Sequence, residues 1–396
     1  MMLERIRALG RLRVPERLGL PDALRIPAVF GTPAVGLDID RGALKAVQVS
    51  RGGGNYTLQH VGYRRLPAGV IAEGEVADHD LLAAEIREFW ASHSFKGKTV
   101  YLGVANQKVV VRLLDFPRMS PEDLRGAINF EAQDHIPMPM DEVVMDYVVL
   151  GPRGEGSDLD RILLVAAQKE MISRYSSAVR VAGLRPQGVD VKALSLIRST
   201  LPRALDDDED AVLLLDVGTE ITNLVVAQGG GPTLTQFIPG GSSYLSQAVA
   251  DAARLSEEEA ERQLMNPRVR IGPAAEEEEL DEVNVPEQEG LDPALRYDVR
   301  RGLEDAVQAL AEDVQRSIEY HYSQPDSREV TQVFVSGEGA MVNGLDAYLG
   351  ELLGVATWRA TPLRKLAGNS SNVPDEQLRV MEPVLAVALG LALEEA

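Results

Sequence analysis

Leu37-Asp38-Ile39-Asp40-Arg41-Gly42-Ala43-Leu44-Lys45-Ala46-Val47 and, 178 residues later, Leu215-Asp216-Val217-Gly218-Thr219-Glu220-Ile221-Thr222-Asn223-Leu224-Val225 follow one plan. Each is an apolar strand that reaches an aspartate, a tight turn of small or polar residues, and a returning strand. Two such hairpins in the two halves of one chain predict a duplicated α/β fold with a cleft between the halves. Turn amides of this kind form nests that face a polyphosphate. Asp38 and Asp216 are then the candidate pair for a hydrated Mg²⁺, an ion that takes one or two carboxylates plus water and phosphate oxygens.

Working outward, strands and helices alternate beyond Pro33, as α/β architecture requires. Val35–Asp40 and Leu44–Val49 read as one hairpin, and Thr99–Ala105 with Val109–Asp115 as a second around Asn106-Gln107. A helix is expected near Asp80–Ser92. Ser120-Pro121-Glu122-Asp123 reads as a cap, a first-turn proline and acids opening a helix that Pro137 closes. Strand Arg161–Ala167 leads to helix Lys169–Ala182, with Gly183 as its C-cap. Ser256 with Glu259 predicts a capping box, and a long helix resumes near Asp298–Tyr322 before strand Glu329–Ser336. Phe334-Val335-Ser336-Gly337-Glu338-Gly339 runs into a glycine turn where absent side chains let a base or ribose approach the backbone. Gly240-Gly241 is a second turn of that kind. Singly, each of these turns is as well explained by an ordinary hairpin or loop.

Composition narrows the chemistry. The 396 residues carry 40 Lys+Arg against 61 Asp+Glu, a formal charge of −21, which argues against nucleic acid as the partner. There is no cysteine, so disulfides, thiolate metal sites and cysteine nucleophiles are excluded, and the five histidines show no zinc spacing. No membrane span or signal-peptide block is visible, and the chain reads as cytoplasmic. Residues 1–32 form a basic tail in which Leu3, Ile6, Leu9 and Leu12 recur beside arginines; an amphipathic membrane-surface helix and a solvated tail both fit. Leu205–Asp210 reads as an acidic bridge. The acidic, proline-bearing segment 273–293 is expected to be a disordered surface loop.

In its order of motifs the chain resembles the actin-like nucleotide-binding superfamily and, within it, the PilM group of type IV pilus assembly proteins, related to the cell-division protein FtsA. The resemblance rests on Gly36-Leu37-Asp38-Ile39 with Lys45, on Asn129-Phe130-Glu131-Ala132-Gln133-Asp134-His135-Ile136-Pro137, and on Gly188-Val189-Asp190-Val191-Lys192-Ala193-Leu194. It continues through Leu215-Asp216-Val217-Gly218, Phe237-Ile238-Pro239-Gly240-Gly241, Asp313-Val314-Gln315-Arg316-Ser317-Ile318 and Ala388-Leu389-Gly390-Leu391-Ala392.

The resemblance implies a two-lobed, ribonuclease H-like duplicated fold. Lobe 1 would take 33–62, 185–205 and 363–396, an inserted α+β SHS2 or 1C module 63–184, and lobe 2 with a helical subdomain 206–362. It implies ATP with Mg²⁺ as ligand: Asp38 and Lys45 in the first phosphate motif, Asp216, Gly218, Thr219 and Thr222 in the second, Gly337 and Gly339 in the adenosine motif. Asp190 would fall near an attacking water, although a strand-to-helix capping role explains that residue equally well. Glu261 is the charged candidate toward the ribose. The implied partner is a PilN-like inner-membrane protein, recognised through its cytoplasmic N-terminal peptide, with the chain at the cytoplasmic face of the inner membrane through that partner. Self-association follows only by analogy with actin-like proteins.

Five residues depart from the family pattern, among them Leu264 in place of a frequent Lys and Gln236 in place of a frequent Arg. Asp40 and Arg41 stand where the first phosphate motif has a glycine and a small hydroxyl residue, and Glu338 replaces the middle glycine of the adenosine turn. Carboxylates beside phosphates are repulsive. Nucleotide binding is therefore expected to be weakened, with hydrolysis slow or absent. Three alternatives stand beside the nucleotide-dependent scaffold: an adaptor that has lost nucleotide binding, an FtsA-like membrane-associated protein, and a metabolic kinase, for which no second substrate constellation is visible.

Overall fold

The computed structural model describes residues 35–154, 156–201, 210–229, 231–272 and 292–393. The basic tail, residues 205–209 of the acidic bridge and nearly all of segment 273–293 lie outside the described residues.

From the N-terminal side the elements are β1 (Val35–Ile39), β2 (Ala43–Gly52), β3 (Asn55–Arg65), the short pair β4 (Ile71–Ala72) and β5 (Glu75–Val76), then α1 (His79–Ser92) and β6 (Thr99–Val104). Next come β7 (Val109–Pro117), α2 (Pro121–His135), β8 (Val143–Pro152), β9 (Leu159–Gln168), α3 (Lys169–Val181), β10 (Arg185–Val191) and α4 (Lys192–Thr200). The second half holds β11 (Ala211–Val217), β12 (Ile221–Gln228), β13 (Gly231–Pro239), α5 (Ser242–Ala253), α6 (Glu257–Leu264), α7 (Pro293–Tyr322), β14 (Val330–Ser336), α8 (Leu345–Leu353) and β15 (Ala356–Arg359). The chain closes with β16 (Leu366–Asn369), α9 (Asp375–Met381) and α10 (Ala386–Ala392).

Local chemistry sets the ends of these elements. The Ser120 side chain accepts from the Asp123 amide at the start of α2, with Pro121 in the first turn. Ser256 and Glu259 close a reciprocal capping box on α6. Beyond α3 the chain turns at Gly183, whose φ of +88° suits glycine.

The described chain divides into two units. The first contains the described residues up to 201 together with 227–235 and 361–393; the second contains 210–226 and 236–360. In the first unit the main sheet runs β10-β6-β1-β2-β3-β16, and the second sheet runs β13-β12-β11-β14-β15. From β3 to β10 the order repeats that from β13 to β15: a three-strand meander, then two strands laid parallel beside its first strand. The duplication expected from the two hairpins is thus present in the topology. β1 is buried on both faces, as a strand between parallel and antiparallel neighbours must be. α10, buried throughout, lies across it so closely that a Cβ on Gly36 would meet the Ala388 carbonyl oxygen at 2.1 Å. A Cβ on Gly390 would likewise meet the Ser195 carbonyl oxygen of α4 at 1.9 Å.

Two sequence expectations are corrected. Thr99–Ala105 and Val109–Asp115 do not form a hairpin: β6 lies between β1 and β10 in the main sheet, whereas β7 pairs with β9. β6 is buried at all but its first residue and takes a central place, while β7 has exposed positions and joins a separate sheet, order β7-β9-β8. Between them the Asn106 side chain accepts from the Lys108 amide at 2.9 Å, an Asx turn that redirects the chain. The boundaries 63–184 for the inserted module are consequently too wide, because they take in β6. The separate part is β7, α2, β8 and β9, whose core is built from Val110, Phe116, Ile128, Ile162, Leu164 and their neighbours. Its two ends meet where the Gln168 amide donates to the Lys108 carbonyl at 3.2 Å.

Candidate functional site: two aspartate turns

Register puts Lys45 directly opposite Asp38 on the β1–β2 hairpin. Its ammonium lies 3.6 Å from Asp38 Oδ2 and 3.6 Å from Asp40 Oδ2. A second ammonium joins them. Lys192, at the start of α4, brings Nζ to 2.7 Å from Asp38 Oδ1 and donates to the Ile39 carbonyl at 3.3 Å. Its stem crosses Gly103, the register partner of Asp38 on β6, where a side chain would crowd Lys192 Cγ at 3.2 Å. Asp38, Lys45 and Lys192 are all buried. Burial alone would lower the Lys192 pKa, but Asp38 and Asp40 outweigh it and hold the ammonium above its ordinary value. Buried Tyr175 faces the same group; desolvation, then the charges of Asp40, Asp38 and Glu75, push its phenol well above the usual range.

Lys192 was not singled out in the sequence beyond its place in a motif. A lysine between Val191 and Ala193-Leu194 in a largely apolar stretch was the available signal, since lysine is almost never buried unless paired.

Asp190 sits in a buried hydrogen-bonded network. One carboxylate oxygen accepts from the Val191 amide at 2.7 Å. The other pairs with the Arg198 guanidinium and accepts from Ser195 Oγ at 3.1 Å. Arg198 Nε in turn donates to the Gly390 carbonyl at 3.0 Å. Through Arg198 the carboxylate ties β10 and α4 to α10. Register places it level with Gly103, two strand spacings (~9–10 Å) from Asp38.

In the second unit, Asp216 ends β11 beside Ser336 of β14. Oδ1 accepts from Ser336 Oγ and Oδ2 from Asn223 Nδ2, each at 3.2 Å. The Gly218 amide closes the turn onto the Ile221 carbonyl at 3.1 Å. The Thr222 hydroxyl donates to the Gly240 carbonyl at 2.9 Å, and Gly240 has a φ of +105°. Thr219 Oγ1 donates to Glu338 Oε2 at 2.9 Å, and the Ser242 hydroxyl reaches the same oxygen at 3.5 Å. The glycines have a local reason to be there. A Cβ on Gly241 would sit 2.2 Å from the Gly218 carbonyl oxygen, and one on Gly337 2.5 Å from that of Val217. Asp216, Gly218, Thr219, Thr222, Gly240, Gly337 and Gly339 therefore converge, with Glu338 among them. Glu261 lies on α6 of the same unit. Asp38, Lys45 and Asp190 belong to the first unit.

The two turns fit a divalent ion unequally. The Asp38 carboxylate is covered by two ammonium groups, so a metal ligated there would have to displace one of them. Asp216 accepts from the neutral donors Ser336 Oγ and Asn223 Nδ2. Among the described residues no three His, Asp or Glu side chains form a metal cage by themselves.

A five-strand order repeated in the two large sheets, each copy opening on a buried aspartate hairpin, defines an actin-like α/β protein. The comparisons agree. The family model "Type IV pilus assembly protein PilM" matches residues 36–270 and 296–396, and the chain belongs to that family. A solved PilM–PilN type IV pilus biogenesis complex is 27% identical, covering 91% of this chain and 98% of that one at a TM-score of 0.74. The cell division protein FtsA of Bacillus subtilis (strain 168) is 24% identical over 258 residues, 58% of this chain and 57% of its own length. For the fold alone, the ethanolamine utilization protein EutJ of Carboxydothermus hydrogenoformans superposes at a TM-score of 0.53 with 15% identity, covering 91% and 89% of the two chains. No helix among the described residues is long and apolar enough to cross a membrane.

Proposed function

We propose that this chain is a scaffold of the type IV pilus assembly platform at the inner membrane, binding the cytoplasmic N-terminal peptide of a PilN-like membrane protein and held at the cytoplasmic face through it. The observation that carries this reading is the near full-length likeness to the PilM chain of a PilM–PilN complex. The peptide would engage the module of β7, α2, β8 and β9, by strand addition or by docking in a groove. The module's outer strands β7 and β8 offer edges for the first mode.

The same reading gives the chain a weak nucleotide site. In the second unit Gly218, Thr219, Thr222 and Gly240 would meet phosphates, and Gly337 and Gly339 the adenosine, with Glu261 toward the ribose. Asp216 is the carboxylate suited to a phosphate-bound Mg²⁺. An adaptor without nucleotide is the second reading, favoured by the Thr219–Glu338 hydrogen bond. Thermal midpoints with and without Mg-ATP separate the two, since a ligand that binds the folded state raises the midpoint.

The partner claim is tested by excision. Because residues 108 and 168 are hydrogen-bonded neighbours, 109–167 can be replaced by a short linker while β6 stays in its sheet. The excised protein should remain folded by circular dichroism and no longer retain a PilN-like N-terminal peptide. Undiminished retention would overturn the assignment of the peptide to the module.

A further inference from the structure

The first turn carries charges in excess of what a nucleotide-binding hairpin needs. Asp38 and Asp40 bring two negative charges, and Lys45 and Lys192 bring two positive ones. The group is internally neutral and Asp38, Lys45 and Lys192 are almost wholly withdrawn from water. A divalent ion added to it would face two ammonium groups already bound to the carboxylate it needs, in a medium where like charges repel far more strongly than in water. Mg²⁺ also requires oxygen ligands at about 2.0–2.1 Å in near-octahedral array. With Lys192 2.7 Å from one carboxylate oxygen of Asp38 and Lys45 3.6 Å from the other, an ion ligated there would have to share or displace an ammonium.

We propose that the Lys192 ammonium occupies the cation position at Asp38, so that the first turn is balanced by the chain's own lysines and binds no divalent ion there. Lys192 Nζ is placed as a small cation would be, between a carboxylate oxygen and the Ile39 carbonyl oxygen. Its position is fixed from three sides: α4 carries it, the bare backbone at Gly103 makes room for its stem, and Asp38 and Ile39 receive its head. The proposal concerns the metal alone and stands whether or not the chain binds nucleotide.

The test is a Mn²⁺ titration of the full chain, followed by loss of the free-ion electron paramagnetic resonance signal. Wild type, Asp38→Asn, Lys192→Gln and the double variant are compared. Wild type and Asp38→Asn should bind Mn²⁺ equally. Lys192→Gln leaves two carboxylates with one ammonium, and its Mn²⁺ affinity should rise at least tenfold, a gain lost in the double variant. Wild-type binding that falls in Asp38→Asn would overturn the proposal, as would no gain in a folded Lys192→Gln protein. Should Lys192→Gln fail to fold, the wild-type comparison with Asp38→Asn decides alone, and the charge-retaining Lys192→Arg should match wild type. Retention of a labelled ATP analogue, followed in parallel, reports on the nucleotide reading separately.

Discussion

Replacing Arg198 with methionine tests the role given to Asp190. The substitution removes the guanidinium from a carboxylate that is only 3% exposed and leaves it two donors, the Val191 amide and the Ser195 hydroxyl. It also leaves the Gly390 carbonyl without the Arg198 Nε donor. Breaking a buried pair by removing one partner costs about 3–5 kcal/mol. The two surviving hydrogen bonds place this case near the lower end, at about 3–4 kcal/mol. For a unit in the 150–250-residue class each kcal/mol moves the midpoint by ~2–4 °C, so the thermal transition of the first unit should fall by about 6–16 °C. Removing both charges in Asp190→Val/Arg198→Met takes away the stranded anion, and the double variant should recover half of that loss or more. Scanning calorimetry on the single and double variants supplies the cycle. A carboxylate kept for positioning water would behave otherwise: Arg198→Met would leave the midpoint within about 2 °C, and the two substitutions would simply add. That result would refute the reasoning.

At the second turn, Glu338→Gln removes the negative charge to which the Thr219 hydroxyl donates and should tighten Mg-ATP about tenfold by calorimetric titration; unchanged or weaker binding counts against Glu338 as the limiting residue. His321 of α7 is buried, and desolvation, only partly offset by its hydrogen bond to the Arg328 carbonyl, lowers its pKa below the ordinary 6.5. The unfolded chain therefore binds a proton that the folded one refuses, and stability is lost as pH falls through about 6.5 toward the folded value. Urea midpoints at pH 7.5 and 5.5 should diverge more for wild type than for His321→Gln, and equal slopes would contradict the assignment.

The parts of this molecule governed by neighbours in sequence were legible before the structure. The two aspartate hairpins, the Ser120 and Ser256 caps and the Gly183 turn all follow from residues a few positions apart. What escaped was set by distant contacts. β6 and β7 have the look of a hairpin because each is a short apolar strand beside Asn106-Gln107, yet their partners lie up to 87 residues away in sequence (Gly103 to Asp190, 190 − 103). Lys192 meets Asp38 from 154 positions on, and Glu338 meets Thr219 across 119 residues. No local pattern announces such a pair; only the odd charge in an apolar run hints at it.

The hydrogen bond between Gln168 and Lys108 has a consequence for how such proteins diversify. A segment that leaves and re-enters its host at one point behaves as an exchangeable cassette, able to change sequence, size or binding preference without reshaping the sheet that carries it. Transplanting it between relatives should move ligand choice with it and leave the chassis intact.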